Sequence, residues 1–311
     1  MKYKINNQYI TLFIDKEFIY KSIDDVFEFF HLSRKTIHLL KQNKEYTLNN
    51  KFVSSATILQ KNDRLTIKAF EKNDYMYTPT PSSIDIIYED DFLLIVNKPA
   101  YLPVYPDSLE KTDSLSHYVS YYYQQSGYDI PVRPIHRLDN DTTGLVIYCK
   151  CAFIQPLLDY QLSIKEINRE YKAIVKGNLD KKEHIVKTNT ARDRHNSKKM
   201  RVSKEGKETI THYQLIKNYH DYAYIRCQLE TGRKHQIRVH MAYTGHPLIG
   251  DTLYGQPSHK IKRQALHAYL IEMVHPITLE TLHIECPNPQ DIQNLLVQLY
   301  FLHLFQIKYL L

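Results

Sequence analysis

The sequence predicts an α+β protein with a mixed, largely antiparallel central sheet and a small domain in front of it. The chain has 311 residues, more than one average domain. Thr and Pro alternate in residues 78–83, which is typical of an extended linker. Behind this linker, strand-like runs alternate with helical ones. Hydrophobic residues make up 43% and charged residues 24% of the chain, which excludes wholesale disorder and collagen-like or coiled-coil classes.

The segment before the linker, residues 1–77, predicts a small α+β head. An alternating run at 10–14 predicts a strand, and a helical stretch follows at 22–30. A second helix begins behind the cap Ser33 and carries the basic residues Arg34 and Lys35. Strand-like pieces follow at 46–48, 51–53 and 64–67. Basic residues on a helix beside small strands suit the binding of folded RNA, whereas the plainer alternative is a head that only braces the main domain.

Residues 84–311 predict the main domain. Strands are predicted at 84–88, 92–96, 144–148, 171–175, 210–216 and 222–229, and helices at 115–125, 153–167 and 235–243. The C-terminal run 294–311 mixes polar with apolar residues, so we expect a docked amphipathic helix and no membrane span. The sequence has no glycine-rich phosphate-binding pattern, which disfavours nucleotide-cofactor folds.

The basic charge is concentrated in one segment. The chain carries a formal net charge of +7, and residues 187–207 alone carry +6. We interpret this segment as a mobile loop or hairpin that binds RNA phosphates, with a merely solvated loop as the alternative. Its main candidates are Arg192, Arg194, Lys198, Lys199 and Arg201. The start of the chain lacks a signal-peptide pattern and the four cysteines are too sparse for a disulfide framework, so we expect reduced thiols and a cytoplasmic protein.

A first candidate site segment reads HRLDNDTTGL over residues 136–145, just before a predicted strand. A carboxylate beside arginine stays ionised at neutral pH, which suits a nucleophile better than a general acid. Asp139 next to Arg137 fits this description. An Asx-turn with solvated charges is the alternative interpretation.

Two further segments carry candidate chemistry. Residues 231–241 read TGRKHQIRVHM, in which Arg233 and Lys234 can hold phosphates and Arg238 can turn inward to pair with a carboxylate. Histidines at 235, 240 and 246 leave a metal-dependent hydrolase as a weaker alternative, because the spacing of the first two differs from the helical H-E-x-x-H pattern. Tyr171 opens an apolar strand between charges, where it is either a functional aromatic or an ordinary strand-end residue.

These segments, in this order, resemble the RluA-type pseudouridine synthases. That family carries H-R-L-D-x-x-T-S-G, then a Tyr opening a strand, then G-R-x-H-Q-[IL]-R-V-H followed by G-H-P-L-x-G-D-x-x-Y-G. Matching residues lie at 90–100, 136–145, 231–241, 245–255, 266–268 and 275–276, so the resemblance covers about 84–290 and leaves out the tail. The head resembles the S-four type of RNA-binding domain. The sequence has Tyr101 and Leu279, and in the head Asn43 and Asn62, where these families prefer Gly.

The resemblance implies a pseudouridine synthase catalytic domain behind an RNA-binding head. It implies Asp139 as the catalytic aspartate, Tyr171 as the residue that stacks on the target base or moves a proton, and Arg238 as the partner of Asp139. Arg137 would hold the flipped nucleotide, and Arg233, Lys234 and His235 would contact RNA. The isomerisation is redox-neutral, so we expect no cofactor and no metal. The expected partner is structured RNA, with large-subunit ribosomal RNA ahead of transfer RNA, bound by a monomer; a non-catalytic RNA-binding assembly factor is the alternative.

Overall fold

A computed structural model describes residues 1–74, 76–108 and 110–310, with side chains described up to residue 303. The head contains β1 (Lys2–Asn6), β2 (Tyr9–Phe13), α1 (Ile23–Phe29), α2 (Arg34–Gln42), β3 (Tyr46–Leu48) and β4 (Arg64–Lys68). The body contains β5 (Ile86–Glu89), β6 (Leu93–Lys98), α3 (Leu115–Gln125), β7 (Arg133–Pro134), β8 (Thr143–Cys149), α4 (Gln155–Ser163), β9 (Asn168–Lys176), β10 (Glu183–Arg192), β11 (Met200–Val202), β12 (Lys207–Tyr219), β13 (Tyr222–Leu229), α5 (Gln236–Tyr243), β14 (Leu266–Val274), β15 (Thr281–Glu285) and α6 (Gln290–Leu310).

The strands form two sheets that confirm the α+β prediction. The head sheet has the order β1-β2-β4-β3. The body sheet has the order β11-β10-β12-β13-β9-β14-β8-β6-β5, with β15 added to β14 and β7 added to β8. Within the described strands, β8 and β14 run parallel and the other pairs are antiparallel. The body sheet therefore matches the mixed, largely antiparallel arrangement that the sequence predicts, and the described strand pairs of the head sheet are all antiparallel.

Two predicted elements differ in the structure. Residues 51–53 form no strand, because only a single bridge between Leu48 and Lys51 is made there. Helix α4 ends at Ser163 because Lys165 adopts a left-handed backbone with φ of 70°. Of the two asparagines at positions where the S-four-type family prefers Gly, Asn43 has an ordinary right-handed backbone, and the left-handed residue is the next one, Lys44, with φ of 54°. By contrast Asn62 does adopt φ of 71°.

The C-terminal helix α6 packs on the body. Ile292, Leu295 and Leu299 are buried against a cluster that includes Tyr219 and Tyr224. These three residues repeat every three or four positions, so one helical face carries the contact. The predicted docked helix is confirmed, and its last residue, 311, lies outside the described residues. None of the helices described in the structure has the length and apolar character needed to cross a membrane.

The head is fixed to the body at several points. The hydroxyl of Tyr3 donates to Asp91 at 2.9 Å, and the rings of His31 and Tyr160 stack 3.6 Å apart. The backbone N–H of Phe153 donates to the Ala69 carbonyl at 3.1 Å. These contacts lie beyond the Cys149 end of β8. The opposite end of this strand, at Thr143, is about 20 Å away at ~3.3 Å per residue and faces the candidate site.

Replacing Tyr101 by Gly is expected to stabilise the fold by about 1 kcal/mol. Tyr101 adopts φ of 62°, a left-handed backbone that costs a non-glycine residue about 1–2 kcal/mol, and its side chain is 59% exposed, so little packing is lost. Urea unfolding measures the gain. Tyr101→Ala is the matched control, since alanine also has a Cβ and should give no gain; equal gains from both variants would contradict the explanation.

Candidate active site

The centre of the body sheet places the candidate residues. Tyr171 of β9 lies opposite Ala268 of β14, and Ala268 lies opposite Gly144 of β8, so the three share one row across adjacent strands. A Cβ on Gly144 would lie 2.1 Å from the Ala268 carbonyl oxygen, and its φ is 117°. Only glycine therefore lets β8 approach β14 here. The loop that carries Asp139 enters β8 directly before this row.

Arg238 on α5 joins two carboxylates. Its Nη1 donates to Asp139 Oδ2 at 3.1 Å, while its Nε and Nη2 donate to the two oxygens of Asp251 at 2.7 and 2.9 Å. Burial opposes the charged guanidinium, but the two carboxylates raise the pKa of Arg238 overall. Because the bidentate contact fixes the guanidinium plane, Arg238 can hold Asp139 in one orientation.

Two buried cations hold the backbone that follows Asp139. Lys98 Nζ donates to the Asn140 carbonyl at 2.8 Å and also to the carbonyls of Pro99 and Leu102. Burial lowers the pKa of Lys98 to about 7. Arg263 Nη1 donates to the Asp141 carbonyl at 3.1 Å. The loop therefore has consecutive carbonyls bound by side chains from distant parts of the chain.

Arg263 also links the loop to the C-terminal helix. Its Nε and Nη2 donate to Asp291, in the first turn of α6, at 2.7 and 2.9 Å. The same guanidinium lies 3.4 Å from the Thr143 hydroxyl. The Arg263 side chain is fully buried, and buried charges are tolerated only when they are paired in this way. The tail beyond the family resemblance thus contributes a carboxylate that supports the Asp139 loop.

His235 faces Asp139 from the start of α5. Its Nε2 lies 3.7 Å from Asp139 Oδ1, and its Nδ1 lies 2.8 Å from the Tyr254 hydroxyl. Burial lowers the pKa of His235 to about 4, so the imidazole is neutral at neutral pH. The Tyr254 oxygen accepts the Met200 N–H at 2.7 Å, so its own hydrogen is available for donation to Nδ1. Met200 lies in β11, within the basic segment 187–207, so these contacts connect that segment to the candidate site.

A small cavity lies over these side chains. Its lining includes Arg137, Asp139, Tyr171, Arg233 and Arg238, and its volume is about 60 Å³. This volume lies well below the ~300–1,000 Å³ of typical small-ligand sites. We therefore expect a lining side chain to move when a flipped uridine binds. The exposed Arg137, whose guanidinium carbon lies 5.0 Å from the Tyr105 ring centre, is free to do so.

The predicted basic residues fall in three places. Residues 187–207 form a hairpin of β10, β11 and the start of β12. Of the two predicted forms, a mobile loop or a hairpin, the segment therefore has the second. Within it Arg194 pairs with Glu205 at 2.8 Å. The remaining hairpin candidates form no salt bridge in the described part of the chain: Arg192, Lys198, Lys199 and Arg201. Arg233 and Lys234 are exposed beside the cavity, whereas Arg34 and Lys35 are exposed on α2 of the head.

The structure does not bring the three histidines of the metal alternative together. His240 Nε2 lies 3.0 Å from the Thr188 hydroxyl and 2.9 Å from that of Thr209, and His246 Nδ1 contacts the Lys176 carbonyl. Across the ranges that the structure describes, no group of three or more His, Cys, Asp or Glu side chains is arranged to hold a metal ion.

Several site residues were absent from the sequence-based candidates. They are Lys98, Asp251, Tyr254 and Arg263. Asp251 and Tyr254 lie inside the G-H-P-L-x-G-D-x-x-Y-G match, so the signal was present without an assigned role. Arg263 precedes the Leu-His-Ala match and has no local pattern that distinguishes it from a surface arginine.

Comparison with known proteins identifies the class to which this fold belongs. The family model of the RNA pseudouridylate synthases matches residues 92–243, and the model of the RluD ribosomal pseudouridine synthase N-terminal domain matches residues 10–65. The human RNA pseudouridylate synthase domain containing 4 has a similar fold, with a TM-score of 0.58 and 22% identity over 70% of this chain and 93% of that one. The fold and the matched family models are thus those of a pseudouridine synthase.

Sequence relatives define the family of this chain more narrowly. An uncharacterized RNA pseudouridine synthase, YhcT, of Bacillus subtilis is 39% identical over 82% of this chain and 83% of its own length. The ribosomal large subunit pseudouridine synthase D of Neisseria meningitidis is 39% identical over 75% of this chain and 65% of its own length. The chain belongs to the RluA family of RNA pseudouridine synthases, and the predicted family, fold and enzyme class are confirmed.

Proposed function

We propose that this enzyme isomerises specific uridines of large-subunit ribosomal RNA, with Asp139 as the catalytic aspartate. The contact between Asp139 and Arg238 carries the proposal, because it holds the carboxylate in one orientation in a cavity that Tyr171 and several arginines also line. Relatives named ribosomal large subunit pseudouridine synthase D in Neisseria, Vibrio and Salmonella support the choice of RNA. Transfer RNA is the alternative substrate.

The reaction needs only groups that this chain supplies. The bond from uracil N1 to ribose C1′ breaks, the base turns, and C5 bonds to C1′ while its proton leaves and N1 gains one, so atoms and electrons balance. The Asp139 carboxylate can attack the ribose, attack the ring or remove a ribose proton, and Arg238 holds it in position in each case. Burial raises the pKa of Tyr171, so its phenol stays protonated and its ring offers a stacking surface.

The arginines around the cavity serve base flipping in this proposal. A flipped uridine leaves a gap in its stack, at a cost of a few kcal/mol, and the exposed Arg137 is placed to enter that gap from the cavity rim. Arg233 and Lys234 contact the adjoining phosphates, and the neutral His235 offers its Nε2–H to Asp139 or to the substrate. The cavity opens when these side chains leave the positions they have here.

The head and the main domain have separate roles in this proposal. We infer that residues 1–77 bind RNA through Arg34 and Lys35, that 78–83 link the two parts, and that 84–311 carry catalysis. The docked head supports a fixed spacing between α2 and the site. All four cysteines are unpaired and buried, which supports a cytoplasmic enzyme with reduced thiols, and we expect it to act as a monomer.

Pseudouridine mapping tests the proposal. Ribosomal and transfer RNA from cells with and without the gene are mapped, and the gene is then restored. We expect one or a few large-subunit positions to lose the modification and regain it. Loss confined to transfer RNA would contradict the ribosomal assignment, and an unchanged map of both RNA classes would contradict the proposal as a whole.

Neutralising the hairpin should weaken RNA binding in a salt-dependent manner. The variant changes Arg192, Lys198, Lys199 and Arg201 to Gln. If all four contact phosphates, the slope of log affinity against log salt falls by about 3, at ~0.7–0.9 per contact. Filter binding at 50–300 mM salt, roughly the range in which such contacts are screened, measures it. The charge-matched control changes four exposed lysines elsewhere: Lys2, Lys4, Lys181 and Lys182. Equal slopes in wild type and hairpin variant would refute the assigned role.

A further inference from the structure

A second, larger cavity lies next to Arg137. Its volume is about 400 Å³, and its lining includes Met76, Tyr77, Tyr105, Asp107 and His117. Arg137 lines the catalytic cavity, and its guanidinium lies against the Tyr105 ring. The two cavities are therefore neighbours separated by one cation–π pair. A volume in this range is typical of small-ligand sites.

The wall of this cavity is held in place from behind. Tyr77 and His117 are 8% and 3% exposed, and their rings meet edge to face, 5.5 Å apart at 90°. His117 Nδ1 lies 2.7 Å from the Ser114 hydroxyl. The Ser120 hydroxyl donates to the Tyr77 carbonyl at 2.7 Å. Because both rings are fixed by α3, the wall exists before any ligand arrives.

The lining suits a flat aromatic ligand with a polar edge. Tyr77, Tyr105 and the 62% exposed thioether of Met76 offer soft, polarisable surface. His117 Nε2 has no hydrogen-bond partner among the described residues. This nitrogen is not fully buried, so a ligand in the cavity can reach it. Burial lowers the pKa of His117, so the ring is neutral at neutral pH. Its free nitrogen can hydrogen-bond a nucleobase without requiring a charge on it.

We propose that this cavity binds the base of a nucleotide adjacent to the target uridine, stacked on Tyr105, while Arg137 enters the gap that the uridine leaves in its stack. This inference rests on the proposed function. Arg137 lines the catalytic cavity and lies against Tyr105, which lines the second one, so a strand whose uridine enters the first cavity passes close to the other. Bases stack on aromatic side chains whatever their sequence. The pocket therefore adds binding affinity for the RNA strand beside the flipped uridine.

The test combines an enzyme variant with a substrate variant. The substrate is a stem-loop around the uridine identified by mapping, made intact and with an abasic ribose at each flanking position in turn. kcat/KM is measured for the wild type and for Tyr105→Ala. We expect Tyr105→Ala to lower kcat/KM by about tenfold on the intact RNA, as loss of one stacking partner does. At one abasic position the wild type should fall by a similar factor, and Tyr105→Ala should cause no further loss.

Two controls and the contrary outcomes complete the design. Tyr105→Phe keeps the ring and should retain nearly wild-type kcat/KM, while Tyr20→Ala removes a 76% exposed aromatic on the head and should show no such coupling. Thermal melting checks that Tyr105→Ala is folded. If the losses from Tyr105→Ala and from every abasic position multiply, the base pocket is refuted while the proposed function stands. If the wild type converts no uridine in any RNA, the proposed function itself fails.

Discussion

Replacing Asp139 by Asn is expected to lower kcat for uridine isomerisation by at least about 10³-fold, since the variant loses the nucleophilic carboxylate. Asn keeps the shape of Asp and can still accept from Arg238, which donates to Asp139 at 3.1 Å. It has no negative charge, so it neither attacks carbon nor removes a ribose proton. Stability should change little, because Arg238 retains its two bonds to Asp251. Single-turnover conversion of a stem-loop RNA measures the rate.

Asp141→Asn is the matched control for this experiment. Asp141 lies in the same loop, and its side chain contacts Asn140 at 2.6 Å instead of Arg238. Its contact with Arg263 uses the backbone carbonyl, which the substitution leaves in place. We therefore expect Asp141→Asn to stay within about threefold of wild type, as surface changes away from special contacts usually do. Full activity of Asp139→Asn, or equal loss in both variants, would overturn the assignment.

Local patterns explain which features the sequence could predict. The helix predicted at 115–125 agrees with α3 residue for residue, because residues close together in the sequence determine both its apolar spacing and its two ends. The short loops that bear Asp139 and Arg238 are recognisable for the same reason. Tyr101 and Leu279 occupy positions where the family prefers glycine, and both adopt positive φ of 62° and 65°. The backbone at these turns is set by the surrounding fold, so the side chain bears the strain.

Long-range pairing explains what local patterns missed. Arg263 serves the Asp139 loop through the Asp141 carbonyl and reaches Asp291 in the last helix. The partners are separated by 122 and 28 residues, and neither spacing leaves a periodic signal. The link from Met200 through Tyr254 to His235 has the same character, since the three come from different elements. Only the fold brings the partners of such a network together.

The Met200 link has a functional consequence. The hairpin carries a net charge of +6, concentrated where RNA phosphates are proposed to bind. Its backbone holds the Tyr254 hydroxyl, which orients His235 over Asp139. His235 itself adopts φ of 56°, a strained conformation for a residue with a Cβ. His235 is one of the residues that line the small catalytic cavity, so the backbone of the hairpin, which we propose binds RNA, is joined directly to the wall of that cavity.

Asp251→Asn is expected to cost about 3 kcal/mol of stability and to lower kcat about 100-fold. Removing one partner of a buried ion pair leaves the other charge uncompensated, and Arg238 is 8% exposed. A guanidinium that has lost its bidentate anchor also lets Asp139 shift, and misplacement by ~1 Å costs about 10² in rate. Urea unfolding and single-turnover kinetics measure the two effects. Asp221→Asn, at a 70% exposed carboxylate paired with His220, is the control and should cost less than about 0.5 kcal/mol.

The pH dependence of stability separates this explanation from a simple packing defect. Burial alone would raise the pKa of Asp251, but the hydrogen bonds and charge of Arg238 lower it overall from the ordinary value of 3.8. A carboxyl whose folded pKa is lowered stabilises the fold above its unfolded pKa, and that contribution is lost as pH falls through the folded value. The wild type should therefore lose stability below about pH 4 more steeply than Asp251→Asn. Parallel curves for the two proteins would show that the buried pair contributes no charge-dependent stability.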